Sequence, residues 1–309
     1  MNNIIFVGDL HLSSRTPLSR IDNYGNTVLK KLKSLLDLAV KRNADTIIFT
    51  GDFFDSYYEP ISYMNKVVEV LTEFKDKNIQ ILSLIGNHDL PYNNMEYFDS
   101  TPLSLLLKSK LVNKLDYISN DHIEIFGLHF SELERLNTFS PLPGKTSILV
   151  MHYAFNNTVP GESINEDDLD KFNMVVPGHD HMFYEPYISK DDILVLRPGS
   201  FTRMTKDDYN LKRDILVYYY ESKTDVVNPI KLQGVENAVD VFSNKAFSSD
   251  SLNLYNNTLT DLFDNKLFDS ESSNIFDIVD SLNIPVTEDS KKAVVKFLES
   301  KGISRESEV

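Results

Sequence analysis

The chain has 309 residues, no cysteine and a formal net charge of -15 at pH 7. The lack of cysteine excludes disulfides, zinc–thiolate sites and a cysteine nucleophile, and it favours a reducing, intracellular compartment. The excess of acid keeps the surface well solvated. It also means that binding to nucleic acid needs a local basic patch, bound metals or a partner protein.

Two further absences concern location. No apolar run approaches the roughly 20 residues of a membrane-spanning helix, and an apolar strand starts at Ile4 with no signal peptide before it. We therefore expect a soluble protein of the cytoplasm, or of the host cytoplasm if it is viral, with no membrane partner. A chain of this length holds one large domain and a smaller one, which we place at residues 1–231 and 232–309.

The first third of the chain alternates short apolar runs with helical periodicity. Apolar runs predict strands at residues 4–7, 46–50 and 79–85. Apolar positions three and four apart predict helices at residues 28–40 and 64–74. This βαβαβ order predicts a parallel sheet with helices on both of its faces.

The middle of the chain predicts further strands and an α/β sandwich, with mixed sheets inside and helices outside. Helices are expected at residues 102–107 and 162–172, the second because acidic residues favour a helix start. The last three of the further strands alternate enough to predict an antiparallel set. The predicted strands lie at residues 115–118, 122–128, 147–151, 174–176, 183–188, 193–196 and 214–220.

Beyond about Lys231 the composition changes. A serine-rich stretch at residues 243–250 predicts a loop or linker. Helical periodicity then returns, which indicates a small, largely helical C-terminal appendage. Its predicted helices lie at residues 251–263, 275–282 and 289–301.

Five of the seven histidines lie where a predicted strand meets a loop. Any one of them alone is more often a structural residue, but five at strand ends, most of them beside Gly, Asp or Asn, favour a shared site. The carboxyl ends of parallel strands meet at one edge of a sheet, where sites assemble. The five are His11, His88, His152, His179 and His181.

The residue types at these ends indicate metal binding. Carboxylate, imidazole and amide groups without thiolate suit Mn²⁺, Fe²⁺ or Zn²⁺. Asp9 and His11, two positions apart at a strand end, are expected on the same side of the chain. Asp52 stands between two histidine-bearing clusters, so we expect it to bridge two ions roughly 3.5–4 Å apart.

The motifs GDLH, GD, GNHD, a single H and GHDH occur in this order between Asp9 and about Ser200, and together they resemble the calcineurin-like metallophosphoesterase superfamily. The resemblance implies a four-layer α/β/β/α metallophosphoesterase sandwich and two divalent metal ions. The first ion would be held by Asp9, His11, Asp52 and His181. The second would be held by Asp52, Asn87, His152 and His179.

The resemblance also implies a mechanism. A hydroxide that bridges the metals would attack phosphorus in line, and His88, unligated, would act as the catalytic residue by stabilising the developing charge or protonating the leaving oxygen. Asp89 would either orient His88 or cap the turn. Asp55 and Arg197 are further candidates for supporting or substrate contacts. Manganese is the expected metal, with Fe²⁺, Mg²⁺ and Zn²⁺ as alternatives.

Two segments are similar to the SbcD-type DNA repair nuclease subunit: residues 51–62 with the helix that follows, and residues 197–203. The resemblance implies a DNA exonuclease or endonuclease, an SMC-like coiled-coil ATPase partner of the SbcC type, and a homodimer formed through helices near the site. The chain length matches a compact phage-type recombination endonuclease subunit. The helices at residues 275–301 are either the ATPase-docking element or a brace on the sandwich.

Two other functions are compatible with the motifs. One is a stand-alone metallophosphoesterase that acts on a small phosphodiester, a nucleotide or a phosphoprotein. The other is a non-catalytic scaffold, which the intact set of ligand residues disfavours. For the nuclease, residues near the site loops are candidates for phosphate contact or base stacking. They are Arg15, Arg20, Arg197, Arg203, Lys206, Tyr57 and Tyr58.

Overall fold

The computed structural model describes residues 2–156, 158–159 and 161–242. The three helices predicted after residue 250 lie outside these residues. The strands are β1 (Asn3–Val7), β2 (Thr46–Phe49), β3 (Gln80–Ser83), β4 (Asn113–Lys114), β5 (Tyr117–Ser119), β6 (Ile123–Leu128), β7 (Thr146–Met151), β8 (Ala154–Phe155), β9 (Ser163–Ile164), β10 (Met174–Pro177), β11 (Tyr187–Ile188), β12 (Leu194–Val195), β13 (Leu216–Glu221) and β14 (Val226–Lys231). The helices are α1 (Tyr24–Lys41), α2 (Ile61–Glu73), α3 (Pro102–Lys108), α4 (Asp208–Lys212) and α5 (Ala238–Val241).

Two six-stranded sheets form the centre of the fold. The first has the order β14-β13-β1-β2-β3-β4, with β1 to β4 parallel and β13 antiparallel to β1. The second has the order β11-β12-β10-β7-β6-β5, with β6, β7, β10 and β12 parallel. Strands β8 and β9 form a separate two-stranded parallel sheet. The predicted α/β class and the parallel β1-β2-β3 unit are confirmed.

The alternation of side chains along β1 shows how the layers pack. Ile4 and Phe6 point into a core that they share with Ile148 and Val150 of β7, so this face of the first sheet meets the second sheet. Ile5 and Val7 belong to the other core, together with the apolar residues of α1 and α2. Each sheet is therefore buried on both faces.

Helices α1 and α2 pack on each other, so they cover the same face of the first sheet. The expectation of helices on both faces of this sheet was therefore wrong. The continuous apolar strands indicated burial on both faces, but the second face is covered by another sheet. On the outer face of the second sheet, Phe126 packs against Phe139 and Phe172, with ring centroids 5.1 Å and 5.7 Å away.

Some predicted elements differ in position. The strand expected at residues 115–118 is two short strands, because the chain leaves the first sheet after β4 and enters the second at β5. The predicted antiparallel set is divided: β11 and β12 pair in the second sheet, whereas β13 pairs with β1 in the first. The sequence of β14 shows no clear strand pattern of apolar residues, because β14 is a partly exposed edge strand that contains Pro229.

The helix predicted at residues 162–172 was wrong. This segment contains β9 and then a single 3-10 turn, Glu166–Asp168. Acidic residues satisfied the rule for a helix start, but the apolar periodicity that follows is short. The Glu166 carboxylate instead accepts a hydrogen bond from the backbone N–H of Asp191 at 2.9 Å, which fixes a loop.

A buried network of charged side chains attaches the last described residues to the domain. Glu236 Oε1 lies 3.2 Å from Lys31 Nζ, 3.4 Å from Arg20 Nη1 and 3.5 Å from Arg203 Nη1. Arg20 also donates two hydrogen bonds of 2.8 Å to the Asp22 carboxylate. Because a buried charge that loses its partner is strongly destabilising, this network resists displacement of either segment. The domain boundary at residue 231 stays a prediction.

Candidate metal centre

Side chains from both sheets converge at one edge of the sandwich. In the first sheet they follow the carboxyl ends of β1, β2 and β3, and in the second sheet they follow β7 and β10. This is the edge at which a parallel sheet places a site, and here two sheets contribute to it together. The residues are Asp9, His11, Asp52, Asn87, His88, His152, His179 and His181.

The first group consists of Asp9, His11, Asp52 and His181, whose potential ligand atoms all lie within 4.8 Å of one another. The two imidazoles face each other, with Nε2 of His11 3.0 Å from Nε2 of His181. His181 Nε2 is also 3.7 Å from Asp9 Oδ2, and His11 Nε2 is 3.9 Å from Asp52 Oδ2. These four residues are the set expected for the first metal.

The second group consists of Asp52, His152 and His179, again within 4.8 Å. Asn87 Oδ1 lies between the two imidazoles, 3.0 Å from His152 Nε2 and 3.1 Å from His179 Nδ1. His152 Nε2 is 3.3 Å from Asp52 Oδ1. Asp52 therefore belongs to both groups, one carboxylate oxygen toward each, which is the arrangement expected of a bridging ligand.

Three of these residues have a left-handed backbone that side-chain-bearing residues rarely adopt. Their φ angles are 50° at His11, 43° at Asp52 and 68° at His179. Asp9 and His11 thus approach the same point because the chain turns after β1, and not because they share a face of an extended strand. Such strained residues cluster at functional sites and persist only where the surroundings hold them.

Two glycines allow the groups to come this close. Gly51 has φ of 118°, and a Cβ there would lie 2.2 Å from His152 Nδ1. A Cβ on Gly86 would lie 2.1 Å from Asp52 Oδ1. Both positions therefore require glycine for close approach, and Gly86 is needed for space and not for a left-handed turn.

Burial and mutual charge set the protonation of the centre. Asp9 and Asp52 are 0% and 1% exposed. Burial raises the pKa of Asp9, whereas at Asp52 the effect of burial is outweighed by His152 and His88, so that its pKa lies below the ordinary value. Burial opposes the charged form of His152 as well, but Asp52 outweighs it and raises the pKa to about 10.

The donor set fits a pair of divalent cations. The contacts given above between carboxylate, imidazole and amide atoms measure 3.0–3.9 Å, a spacing compatible with ligands that each stand about 2.1 Å from one ion. Nε2 of His11 and Nε2 of His181 lie 3.0 Å apart, beside the carboxylates of Asp52 and Asp9, and a cation there would take the lone pairs of both nitrogens. The ligand types suit manganese, iron or zinc and do not distinguish among them.

His88 lies beside the first group and is partly exposed. Its Nδ1–H donates to the backbone carbonyl of Asp55 at 2.8 Å, and its backbone N–H donates to Asp52 Oδ1 at 2.9 Å. The Asp55 carboxylate lies 3.3 Å from His11 Nδ1 and 3.8 Å from His88 Nδ1. The ring of His88 is thus fixed by Nδ1, which leaves Nε2 available to a substrate.

Asp89 is buried and ties two loops together. Its carboxylate accepts hydrogen bonds from the backbone N–H groups of Gly86, Phe53 and Phe54 at 3.0–3.2 Å. These contacts match the turn-capping alternative and also join the loop after β3 to the loop after β2. The sequence predicted a possible turn-capping role for Asp89. It did not predict that Asp89 also holds the loop that carries Phe53 and Phe54.

Three arginines expected near DNA are buried. Arg20 and Arg203 belong to the network around Glu236. Arg197 pairs with Asp180, the residue between the last two histidine ligands, and its guanidinium lies 3.9 Å above the Tyr184 ring. Arg197 therefore supports the loop after β10, and none of the three presents a guanidinium to solvent. The two remaining candidate cations are Lys206, which is half-buried, and Arg15, which is exposed.

Sequence reasoning missed two groups that hold the ligands. The Thr50 hydroxyl donates to Asp9 Oδ1 at 2.9 Å, and the Thr50 carbonyl accepts from His152 Nδ1 at 2.9 Å. Glu162 Oε2 lies 2.5 Å from His179 Nε2. Thr50 directly precedes the Gly51-Asp52 motif, and this position in the sequence could have pointed to it. Nothing near Glu162 in the sequence points to His179.

Replacing Gly86 by alanine is expected to displace the Asp52 carboxylate, because the new methyl group would overlap Oδ1. We expect Gly86→Ala to lose Mn²⁺ binding in both groups while the protein still unfolds cooperatively, as measured by calorimetric titration and thermal denaturation. Gly144→Ala is the control for backbone strain without overlap, since φ there is 86° and a Cβ meets nothing within 4 Å; it should keep both Mn²⁺ ions. Unchanged binding of two Mn²⁺ ions by Gly86→Ala would contradict the shared role of Asp52.

A family model described as calcineurin-like phosphoesterase matches residues 3–195. A curated relative, the DNA double-strand break repair protein Mre11 of Sulfolobus acidocaldarius, is 26% identical over 197 residues, which cover 60% of this chain and 51% of the relative. The protein of the same name from Nanoarchaeum equitans is 25% identical over 302 residues, covering 83% and 81%. A crystal structure of a Thermus thermophilus protein aligns with a TM-score of 0.47 at 10% identity, covering 75% of this chain and 99% of that one.

The chain spans about half the length of most of the curated relatives that it matches. Among the described residues, no helix combines the length and apolar character that a bilayer crossing requires. The family match covers more than half of the chain and includes every residue of the centre. The expected enzyme class, a metal-dependent phosphoesterase, is confirmed at the level of the family: this chain belongs to the calcineurin-like phosphoesterases.

Proposed function

We propose that the chain is a two-metal phosphodiesterase that cleaves DNA as the nuclease subunit of a repair and recombination complex. The observation that carries the proposal is that two ligand groups, drawn from two sheets, share the Asp52 carboxylate. The names of the relatives, which describe repair of DNA double-strand breaks, favour DNA over other phosphodiesters.

In this proposal Asp9, His11, Asp52 and His181 hold one ion. Asp52, Asn87, His152 and His179 hold the other. Two bound ions supply a nucleophile derived from water and neutralise charge on the phosphate. Manganese is the proposed native metal.

The protein's own contribution to the reaction is His88. Because Nδ1–H is held by the Asp55 carbonyl, Nε2 of the neutral ring accepts a hydrogen bond, and Nε2–H of the protonated ring donates one. In the protonated form His88 stabilises charge on a phosphoryl oxygen or transfers its proton to the leaving oxygen. The backbone hydrogen bond from His88 to Asp52 keeps this ring beside the ligand that both groups share.

Contacts to DNA beyond the metals would be aromatic more than cationic. Tyr58 is exposed, and Tyr57 stacks against Tyr92 with ring centroids 6.5 Å apart. Tyr57 and Tyr58 follow Asp55, and Tyr92 follows His88, so these rings belong to the loops that carry Asp55 and His88. Exposed tyrosines stack on unpaired bases with little sequence preference, which favours single-stranded or end-exposed DNA.

One observation favours the alternative, a stand-alone enzyme that acts on small phosphodiesters or nucleotides. A cavity of about 580 Å³ opens beside His11, His88 and His181, a size typical of small-molecule sites. Asp207, Asp208 and Arg213 line its wall, so the cavity offers charges of both signs to a small substrate.

The choice between these functions is tested with purified protein and Mn²⁺. We expect cleavage of single-stranded or end-exposed DNA, because the loops that carry Asp55 and His88 also expose tyrosines that can stack on unpaired bases. Fluorescently labelled oligonucleotides with free, recessed or hairpin-blocked ends measure it. Hydrolysis of bis(p-nitrophenyl) phosphate without cleavage of any DNA would refute the nuclease and support the small-substrate enzyme.

Replacement of His88 separates chemistry from metal binding. We expect His88→Ser to bind two Mn²⁺ ions as the parent does but to lose about 10²- to 10⁴-fold in hydrolysis, the contribution of a positioned acid–base group. The measurements are calorimetric titration and initial rates. His122→Ser, at an exposed loop position, is the control and should retain activity. Loss of metal in His88→Ser would make His88 a ligand.

We further propose that the chain forms a homodimer and binds an SMC-like coiled-coil ATPase of the SbcC type through the region after about residue 264. Sedimentation of the purified chain tests the dimer. For the ATPase, we expect a chain that ends at Asp264 to lose co-purification with it while retaining phosphodiesterase activity. Equal recovery of the ATPase with the shortened chain would exclude docking through this region.

A further inference from the structure

The loop that follows β7 starts at His152, a residue of the second group. It carries Glu162, which contacts a second residue of that group, His179. It leaves the second sheet at His152 and forms β8. Its second strand, β9, pairs in parallel with β8 through Ala154 and Ser163. The backbone N–H of Ala154 donates to the carbonyl of Glu162 at 3.0 Å. This pairing places the Glu162 carboxylate at His179, where Oε2 lies 2.5 Å from Nε2.

His179 is held by its backbone and by Glu162, and its other ring nitrogen faces Asn87. Its backbone N–H donates to Asp9 Oδ2 at 3.0 Å, Nδ1 of its ring lies 3.1 Å from Asn87 Oδ1, and Nε2 faces Glu162. Its backbone φ of 68° is in the left-handed region. The ring therefore presents Nδ1 to the second ligand group and Nε2 to the carboxylate.

The chemistry of this pair fixes the tautomer of the ring. An ionised carboxylate only accepts hydrogen bonds, so His179 Nε2 must carry the hydrogen, and the lone pair of the neutral ring is left on Nδ1. A carboxylate behind a ligating imidazole also raises its basicity and orients it toward the metal.

Two other imidazoles of the centre are arranged in the same way. His152 Nδ1 donates to the Thr50 carbonyl at 2.9 Å, and His11 Nδ1 lies 3.3 Å from the Asp55 carboxylate. In each case one nitrogen faces the centre and the other faces an oxygen. Glu162 completes this pattern for the second ligand group, from a loop that the family motifs do not include.

We propose that Glu162 is a positioning residue for the second metal: it holds His179 in the Nε2–H tautomer and thereby sets the affinity of that ion. The inference rests on the proposed two-metal site. It assigns Glu162 no contact with the substrate. The Glu162 side chain is 39% exposed. Substituting it therefore disturbs the core less than substituting a buried residue would.

The test measures metal affinity at each ion by calorimetric titration with Mn²⁺. We expect Glu162→Ala to weaken one of two Mn²⁺ sites by about 10–100-fold and to leave the other unchanged. Glu162→Gln, which keeps an accepting oxygen, should recover part of the loss. Glu69→Ala, on the exposed face of α2, is the matched control and should bind as the parent does.

A second readout uses the metal-free protein. Nitrogen-15 NMR of the His179 ring should show Nε2–H in the parent and a mixture of tautomers in Glu162→Ala. Equal weakening of both sites, or an unchanged tautomer together with unchanged affinity, would overturn the proposal. Both readouts are independent of DNA cleavage, so a failure of the proposed nuclease activity would be seen separately.

Discussion

The centre depends on one carboxylate, Asp52, which is buried between two sheets. It belongs to the first sheet, yet the imidazole of His152, 3.3 Å away, comes from the second. Such a buried carboxylate is stable as an anion only where positive groups or metals surround it. The packing of Phe6 and Ile48 against Ile148 therefore has a functional consequence, because it holds the carboxyl ends of both sheets at this anion.

A second layer of oxygen atoms holds the ligands. The Asp55 carboxylate, the Thr50 carbonyl and the Glu162 carboxylate stand behind three imidazoles, and Asp89 ties together the loops that carry Asp52 and Asn87. This layer offsets the cost of the left-handed backbone at ligand positions. These contacts orient the side chains of the centre, which limits the reorganisation that metal binding requires.

Charge shapes how a substrate reaches this centre. The chain is strongly acidic, and three of the arginines expected near DNA are buried in ion pairs. The metals, and any partner protein, would therefore supply most of the attraction for a phosphodiester, so binding should depend on metal as strongly as catalysis does. The exposed tyrosines of the loops that carry Asp55 and His88 offer contacts that an acidic surface does not oppose.

The sequence by itself determined the ligand types, their order, and their position after strands, because each motif is local and the strands are continuous apolar runs. It also predicted the parallel order of β1, β2 and β3. It did not determine that Arg197 and Arg203 are buried, that Glu162 meets His179, or that Thr50 contacts both Asp9 and His152. Those features depend on contacts between distant segments, such as Thr50 and His152, 102 positions apart. The left-handed backbone of His11 and His179 is likewise imposed by packing, since their own side chains disfavour it.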